Sequence, residues 1–309
     1  MIITVTLNPA LDKTIEIDEF KIDSVNRIVS TRVDAGGKGI NVSKVIKELQ
    51  YKSLALGFLG GSSGSQIKNY LDDLNIDNEF LLVKGETRTN LKIIDKVNKT
   101  HTDINENGPS LGKQDITNIK EKIMQHCEEG SLVVLSGSVP NEVSTSVYGE
   151  IIKAVKSKGG KVILDAEGEL LMEGIKAGPY MVKPNIDELE KAFGISINNE
   201  EEIIETAKKV LEYGVKYVVI SLGSEGSIFI STDTVAKVKG IKVQVKSTVG
   251  AGDSMVAALA VATEKGYTLE EAIKLACATS TANVMTEGTQ TGRLVDIDRI
   301  KNEININYI

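Results

Sequence analysis

Apolar positions along this chain fall into two patterns. Short β-branched runs, Ile2–Leu7, Leu54–Leu59, Leu132–Leu135, Val162–Leu164 and Tyr217–Ile220, are each followed by a stretch with helical periodicity. Continuous apolar runs such as Leu132-Val133-Val134-Leu135 suit strands covered on both faces. Their alternation with helices predicts an α/β fold, a mostly parallel central sheet flanked by helices on each side. Residues 11–34 and 86–105 break that rhythm. Thr14-Ile15-Glu16-Ile17-Asp18, Arg27–Val33 and Thr89–Ile94 read as strands with no helices between them. They predict a small antiparallel sheet inserted in the main fold, half-exposed and placed to act as a lid over a pocket. With no internal repeat or proline-rich linker, residues 1–309 read as a single domain carrying that sheet.

Glycine clusters punctuate the pattern. Before Thr248-Val249-Gly250-Ala251-Gly252-Asp253-Ser254, Ile241, Val243 and Val245 alternate with Lys242, Gln244 and Lys246 and predict a half-buried strand; after it, Met255–Ala262 predicts a helix sunk in the core. A helix start of this kind gathers unpaired N–H groups and the positive end of the dipole, and glycine lets a phosphate approach the backbone. Asp253 then either caps the helix or faces the bound anion. Asp34-Ala35-Gly36-Gly37-Lys38-Gly39-Ile40-Asn41 opens a second helical pattern. It is not a P-loop, since Gly39 follows Lys38, nor a dinucleotide fingerprint, since the third glycine is missing. Either it is a plain glycine turn, or Lys38 and Asn41 on one helical turn serve a polyhydroxylated or phosphorylated ligand.

Three further turns carry candidate chemistry. Ser221-Leu222-Gly223-Ser224-Glu225-Gly226 is a plain hairpin or a loop for nucleotide phosphates. Leu135-Ser136-Gly137-Ser138-Val139-Pro140 ends a predicted parallel strand, at the edge where open α/β sheets bind ligands. In Lys183-Pro184-Asn185-Ile186-Asp187-Glu188, Asn185 and Glu188 share the face of a first helical turn, as a magnesium pair or as an N-cap with its acidic partner.

Composition removes other classes. No apolar run reaches membrane-spanning length and Met1–Leu7 reads as a strand, which points to the cytoplasm. Isolated Cys127 and Cys277 and only two histidines, His101 and His126, argue against structural zinc and disulfides, so any metal would bind through oxygens. A net charge of −7 argues against nucleic acid as the main partner, while leaving room for a local basic pocket.

Seven motifs occur in order: Thr6-Leu7-Asn8-Pro9-Ala10-Leu11-Asp12, Gly36–Val42, Thr87-Arg88-Thr89-Asn90, Ser136–Pro140, Lys183–Glu188, Ser221-Leu222-Gly223 and Val249–Ser254. The set resembles the ribokinase-like (PfkB-type) carbohydrate kinases, in the branch containing 1-phosphofructokinase and tagatose-6-phosphate kinase. The resemblance spans the chain and implies an αβα sandwich with a β-sheet lid, ATP and Mg2+ as cofactors and a sugar phosphate as substrate; the lid sheet is a candidate surface for a homodimer, with the oligomeric state left open. By position, it makes Asp253 the general base for a sugar hydroxyl attacking the γ-phosphate, and Gly250, Ala251 and Gly252 the anion hole. Asp12, Gly37, Lys38, Asn41, Arg88, Ser136 and Gly137 would hold the sugar phosphate, with Arg27 on the lid. Lys183, Asn185, Ser221, Gly223, Glu225, Gly226 and Thr248 would line the nucleotide site, and Asn185 and Glu188 would position magnesium. Lys38, Arg88 and Arg27 around one site favour a substrate that already carries a phosphate. Between fructose 1-phosphate and tagatose 6-phosphate, the wording of Asn8–Thr14 is closer to the 1-phosphofructokinases. A nicotinamide oxidoreductase is opposed by the failed fingerprint, and a non-catalytic sugar-phosphate sensor by Asp253 and the magnesium pair.

Overall fold

The computed structural model describes residues 1–309. In chain order its strands are β1 (Ile2–Thr6), β2 (Ala10–Ile17), β3 (Ile28–Gly36), β4 (Ser53–Leu59), β5 (Asp77–Asn78), β6 (Leu81–Leu82), β7 (Arg88–Asp95), β8 (Thr100–Asn105), β9 (Leu132–Ser136), β10 (Lys161–Asp165), β11 (Met181–Val182), β12 (Tyr217–Ser221), β13 (Gly226–Ile230), β14 (Val235–Lys239) and β15 (Ile306–Tyr308). The helices are α1 (Lys38–Glu48), α2 (Gly61–Asp73), α3 (Lys113–His126), α4 (Val147–Ser157), α5 (Gly168–Lys176), α6 (Ile186–Phe193), α7 (Glu200–Leu211), α8 (Ala251–Lys265), α9 (Leu269–Asn283) and α10 (Leu294–Lys301).

The main sheet runs β15-β14-β13-β12-β11-β10-β9-β1-β4-β5, with β6 also paired to β4. From β5 to β12 its neighbours are parallel, and only β13, β14 and β15 are added antiparallel. Its central strands are apolar at successive positions because both faces are covered. Val133 and Leu135 of β9 enter a core shared with α3 to α7, while Leu132 and Val134 enter a second core under α1, α8, α9 and α10. This is the helix-flanked, mostly parallel sheet that the alternating runs predict.

A separate four-stranded sheet, β3-β2-β7-β8, forms from the two segments without helices. It is mixed rather than antiparallel as expected, since β2 and β7 pair in parallel from Ala10↔Arg88 to Ile17↔Asp95. Connectivity is the reason: between them the chain passes through β3, α1, β4, α2, β5 and β6, a crossover long enough to bring the second strand back in the same direction. Leu11 and Ala35 tie the base of this sheet to Ile67 and Leu71 of α2, whereas β8 is exposed along its length.

The strand expected over 241–246 does not form. The edge beside β14, next in sequence to this segment, is taken by β15. The alternation holds only over Ile241–Gln244, with Ile241 and Val243 half-buried and Lys242 and Gln244 exposed; Val245 is exposed, and Lys246 and Ser247 N–H reach Val284 O at 2.8 and 3.3 Å. No helix is long and apolar enough to cross a membrane.

Candidate active site

The parallel strands end on one edge, and their last residues face the starts of α1 and α8. Asp165 at the end of β10 pairs in register with Ser136 of β9, and Lys183 N–H donates to Leu164 O at 3.1 Å. Helix α8 begins after Gly250, whose φ of +79° is a left-handed conformation favouring glycine. Ser254 N–H starts the helical ladder on Gly250 O at 2.8 Å, and Ala251 N–H reaches Thr248 O at 3.4 Å. The N–H groups of Gly252 and Asp253 have no acceptor in the chain, which leaves an anion-receptive helix start. Asn283 of α9 fixes this turn: Ser254 Oγ donates to its Oδ1 at 2.5 Å, and its Nδ2 donates to Val249 O at 3.2 Å.

Asp253 does not cap the helix. No side chain does so at α8, and the buried Asp253 carboxylate instead accepts from Asn41 Nδ2 at 2.9 Å. Burial, and then the neighbouring Asp165 charge, push its pKa up to about 6, against the pull of Lys38, Asn41 and Lys183. Asp165 is itself fully buried, with Lys38 Nζ and Lys183 Nζ each 3.4 Å from its Oδ1. Burial would raise its pKa, yet the two ammonium groups hold it below the ordinary carboxylate value. Burial works against the Lys38 charge too, but Asp165, Asp253 and Glu188 together raise its pKa. Lys183 also lies 3.2 Å from where a Cβ on Gly252 would stand, so its ammonium reaches the helix start. Asp165 is absent from the sequence-derived set. Its signal is a lone carboxylate closing the apolar run Val162–Leu164 at the ligand edge of the sheet.

On the other side stand the groups expected to hold a sugar phosphate. Asn90 Nδ2 of β7 donates to Asp12 Oδ1 of β2 at 2.9 Å, and Arg88 donates to Asn8 O at 3.2 Å. Burial raises the Asp12 pKa, partly offset by Asn90, Lys44 and Arg88. Asp12 fills the space a side chain on Gly36 would need, its Oδ2 standing 2.0 Å from that Cβ position. Gly37, at φ +111°, passes over Thr6 and Pro9, while Gly137, at φ +96°, passes beside Lys38. Sequence reasoning passed over Lys44, one turn beyond Asn41. Its buried Nζ donates to Ala35 O at 2.9 Å and reaches Thr289 Oγ1 at 3.5 Å, and burial lowers its pKa to about 8 against Asp34, Asp12 and Asp253. Arg27 is exposed in the loop before β3, with no ion-pair partner.

Six buried side-chain atoms in the whole chain lack a hydrogen-bond partner, and five belong to these motifs: Asn8 Oδ1, Asn41 Oδ1, Arg88 Nε, Asn90 Oδ1 and Ser136 Oγ. An unpaired buried polar group costs about 1–3 kcal/mol, so native proteins keep few. Gathered beside Asp253, Lys38 and Asp12, they mark where a polyhydroxylated ligand would satisfy them.

The nucleotide-side residues are less uniform. Ser221 N–H donates to Pro184 O at 3.1 Å and bridges in parallel to Asn185, which brings those two motifs together. Gly223 and Glu225 lie in a short 3₁₀ turn of the β12–β13 hairpin, with open space around Gly223. Gly226 has a packing reason instead: at φ +114°, its Cβ would stand 2.0 Å from Val238 O. Thr248 is exposed just before the α8 turn. Asn185 and Glu188 form a reciprocal capping box, Glu188 N–H to Asn185 Oδ1 at 2.7 Å and Asn185 N–H to Glu188 Oε2 at 2.9 Å. The N-cap of the two readings is therefore formed, and the Asn185 amide oxygen is engaged in it. Glu188 Oε1 faces the site, 3.9 Å from Lys38 Nζ.

An open helix start flanked by a buried carboxylate and two ammonium groups has the parts that phosphoryl transfer to an alcohol requires. Comparison with known proteins places the chain in that class. The model of the pfkB family of carbohydrate kinases matches residues 5–296. A 1-phosphofructokinase of Borreliella burgdorferi is 40% identical over 286 residues, 92% of each chain. A tagatose-6-phosphate kinase of Staphylococcus epidermidis is 34% identical, covering 95% of this chain and 94% of that one. The crystal structure of Escherichia coli phosphofructokinase-2 in complex with potassium superposes with a TM-score of 0.93 at 28% identity over 98% of both chains. The chain belongs to the pfkB family of carbohydrate kinases, ATP-using phosphotransferases with an alcohol group as acceptor.

Proposed function

We propose that this kinase phosphorylates fructose 1-phosphate to fructose 1,6-bisphosphate at the expense of ATP. The observation that carries a sugar-phosphate site is the cluster of unpaired buried polar atoms beside Asp253, with Arg88 and Lys38 supplying charge for a group already phosphorylated. The likeness to 1-phosphofructokinases favours fructose 1-phosphate. The 34% identical tagatose-6-phosphate kinase favours tagatose 6-phosphate as the second reading.

In this reading Asp253 takes the proton of the sugar hydroxyl as its oxygen bonds to the γ-phosphorus and the bond to the leaving ADP oxygen breaks. Its pKa of about 6 leaves it mostly ionised at neutral pH yet basic enough to accept that proton. The free N–H groups at Gly252 and Asp253, with Lys183, stabilise charge on the transferring group. Asn41 aims the base, and Asp165 holds Lys38 and Lys183 in place. Ser221, Gly223 and Thr248 line the nucleotide side. Glu188, fixed by the Asn185 cap, would hold magnesium through water, and the ion would offset the nucleotide's phosphate charge. Edge strand β3, with Ile28, Val29 and Val33 exposed, would join two copies of the chain. ATP and phosphorylated sugars as substrates fit the cytoplasm.

The test is kcat/KM for fructose 1-phosphate, tagatose 6-phosphate, fructose 6-phosphate and free fructose. Fructose 1-phosphate should give the highest value and free fructose the lowest. A leading value for tagatose 6-phosphate supports the second reading, and equal values for free fructose and the phosphates contradict both.

A further inference from the structure

We propose that a cavity at the opposite end of α8 from Asp253 binds a small organic anion with an apolar body. The cavity measures about 270 Å³ and lies between the first residues of β11 and β12, the last turns of α8 and the start of α9. The residues implicated in phosphoryl transfer are at the other ends of these same strands. Thr263, which lines the cavity, follows Asp253 by ten residues of α8, about 15 Å along its axis.

Most lining side chains are apolar, and the deepest belong to the fixed core, while Lys161, Lys216, Ser231 and Thr263 make part of the wall polar. Leu259, Val219 and Phe229 line the cavity and are almost fully buried. Its volume is near the lower end of small-molecule sites, about 300 Å³, which suits one or two fused rings rather than a nucleotide.

Charge at the lining supplies the second half of the chemistry. Lys161 Nζ stands 5.0 Å from the Tyr180 ring centre, and Lys216 Nζ stands 5.7 and 5.4 Å from the Tyr180 and Tyr217 rings. Both lysines line the cavity, and neither pairs with a carboxylate, although the chain carries 43 acidic residues and a net charge of −7. The two tyrosine rings meet edge to face at 5.5 Å, so the lysines rest on a preformed aromatic frame. Burial and the adjacent Tyr217 push the Tyr180 hydroxyl pKa up to about 12, which keeps it neutral and able to donate. Cation–π contacts at exposed sites contribute only about 0.5–1 kcal/mol, so these ammonium groups have more to gain from an anion at the cavity. Apolar core side chains beside two cations without carboxylate partners are complementary to an aromatic carboxylate or sulfonate.

The probe is 8-anilinonaphthalene-1-sulfonate, titrated by fluorescence into the full-length protein with and without saturating ATP. Binding should saturate at one site per chain and be unchanged by ATP. The exposed-site double variant Lys161→Glu/Lys216→Glu should bind about tenfold or more weakly, as loss of charge-assisted contacts implies, with kcat unchanged. Thr263→Trp, which fills the cavity from α8, should abolish binding while the circular dichroism spectrum is retained. The neutral analogue N-phenyl-1-naphthylamine should also bind about tenfold more weakly. Displacement by ATP, undiminished binding by the double variant or Thr263→Trp, or equal affinity for the neutral analogue overturns the proposal.

Discussion

The main sheet and the small second sheet both bring residues to the site, yet they are built for different tasks. Every residue of β9 is buried, and its alternate side chains enter two different cores. On the second sheet β8 is exposed throughout, and β3 becomes buried only at Asp34–Gly36, where it meets α1 and α2. Asp165, Lys183 and Asp253, the groups proposed to act in the transfer, stand on the doubly covered frame. Asp12, Arg88 and Asn90, which would meet the sugar, stand on the sheet anchored at its base. In the proposed reading, the contrast is a division of labour in which the rigid frame would perform the transfer and the second sheet would choose the acceptor.

Asp253→Asn attacks the frame's part of that division and should have the largest effect. We expect kcat to fall about 10²–10⁴-fold, with ATP and sugar-phosphate dissociation constants changed little, because the base acts in the transition state. Near-normal kcat would remove Asp253 from the chemistry.

The wild-type pH profile sharpens the same point. The proposed mechanism requires the Asp253 carboxylate, so kcat at saturating substrate should decline as pH falls through about 6. For stability the sign is opposite. The folded-state pKa lies above the ordinary value of 3.8, so the native protein binds the extra proton between roughly pH 4 and 6, and stability falls as pH rises through that window. Asp253→Asn should therefore melt no lower than wild type at pH 8 and lose this component of pH dependence. A kcat flat from pH 8 to 5 would contradict the assignment.

A third comparison sets stability against assembly. Ile3→Ala, at a fully buried position of β1, should cost about 2–5 kcal/mol in urea unfolding. Val29→Asp on β3 should leave the unfolding of each protomer within about 0.5 kcal/mol but turn a dimer into a monomer in sedimentation. An unchanged dimer would move the interface off the second sheet.

How far this division is legible in the sequence depends on whether the cause is local. The β-branched runs and glycine turns report their own elements, and the seven ordered motifs report the family. Strand direction is not local: period-two alternation in Thr14–Asp18 and Thr89–Ile94 is the same for parallel and antiparallel pairing, so the mixed second sheet became visible only with the crossover. The same alternation at 241–246 does not report that β15 takes the edge beside β14. Asp165 and Lys44 look like a strand-end carboxylate and a solvated helix lysine until the fold buries them beside Asp253 and Asp12. The packing constraint on Gly226 comes from Val238 O, twelve residues away, which no local pattern reports.

The most direct test of the division of labour is the ratio of kcat/KM for fructose 1-phosphate to that for free fructose, measured in wild type and in Arg88→Ala. Loss of one charge-assisted contact to the substrate phosphate should shrink that ratio by about 10–100-fold, through KM for the sugar phosphate, with KM for ATP nearly unchanged. An unchanged ratio, or an equal rise in both KM values, would contradict the claim that the second sheet selects a phosphorylated acceptor.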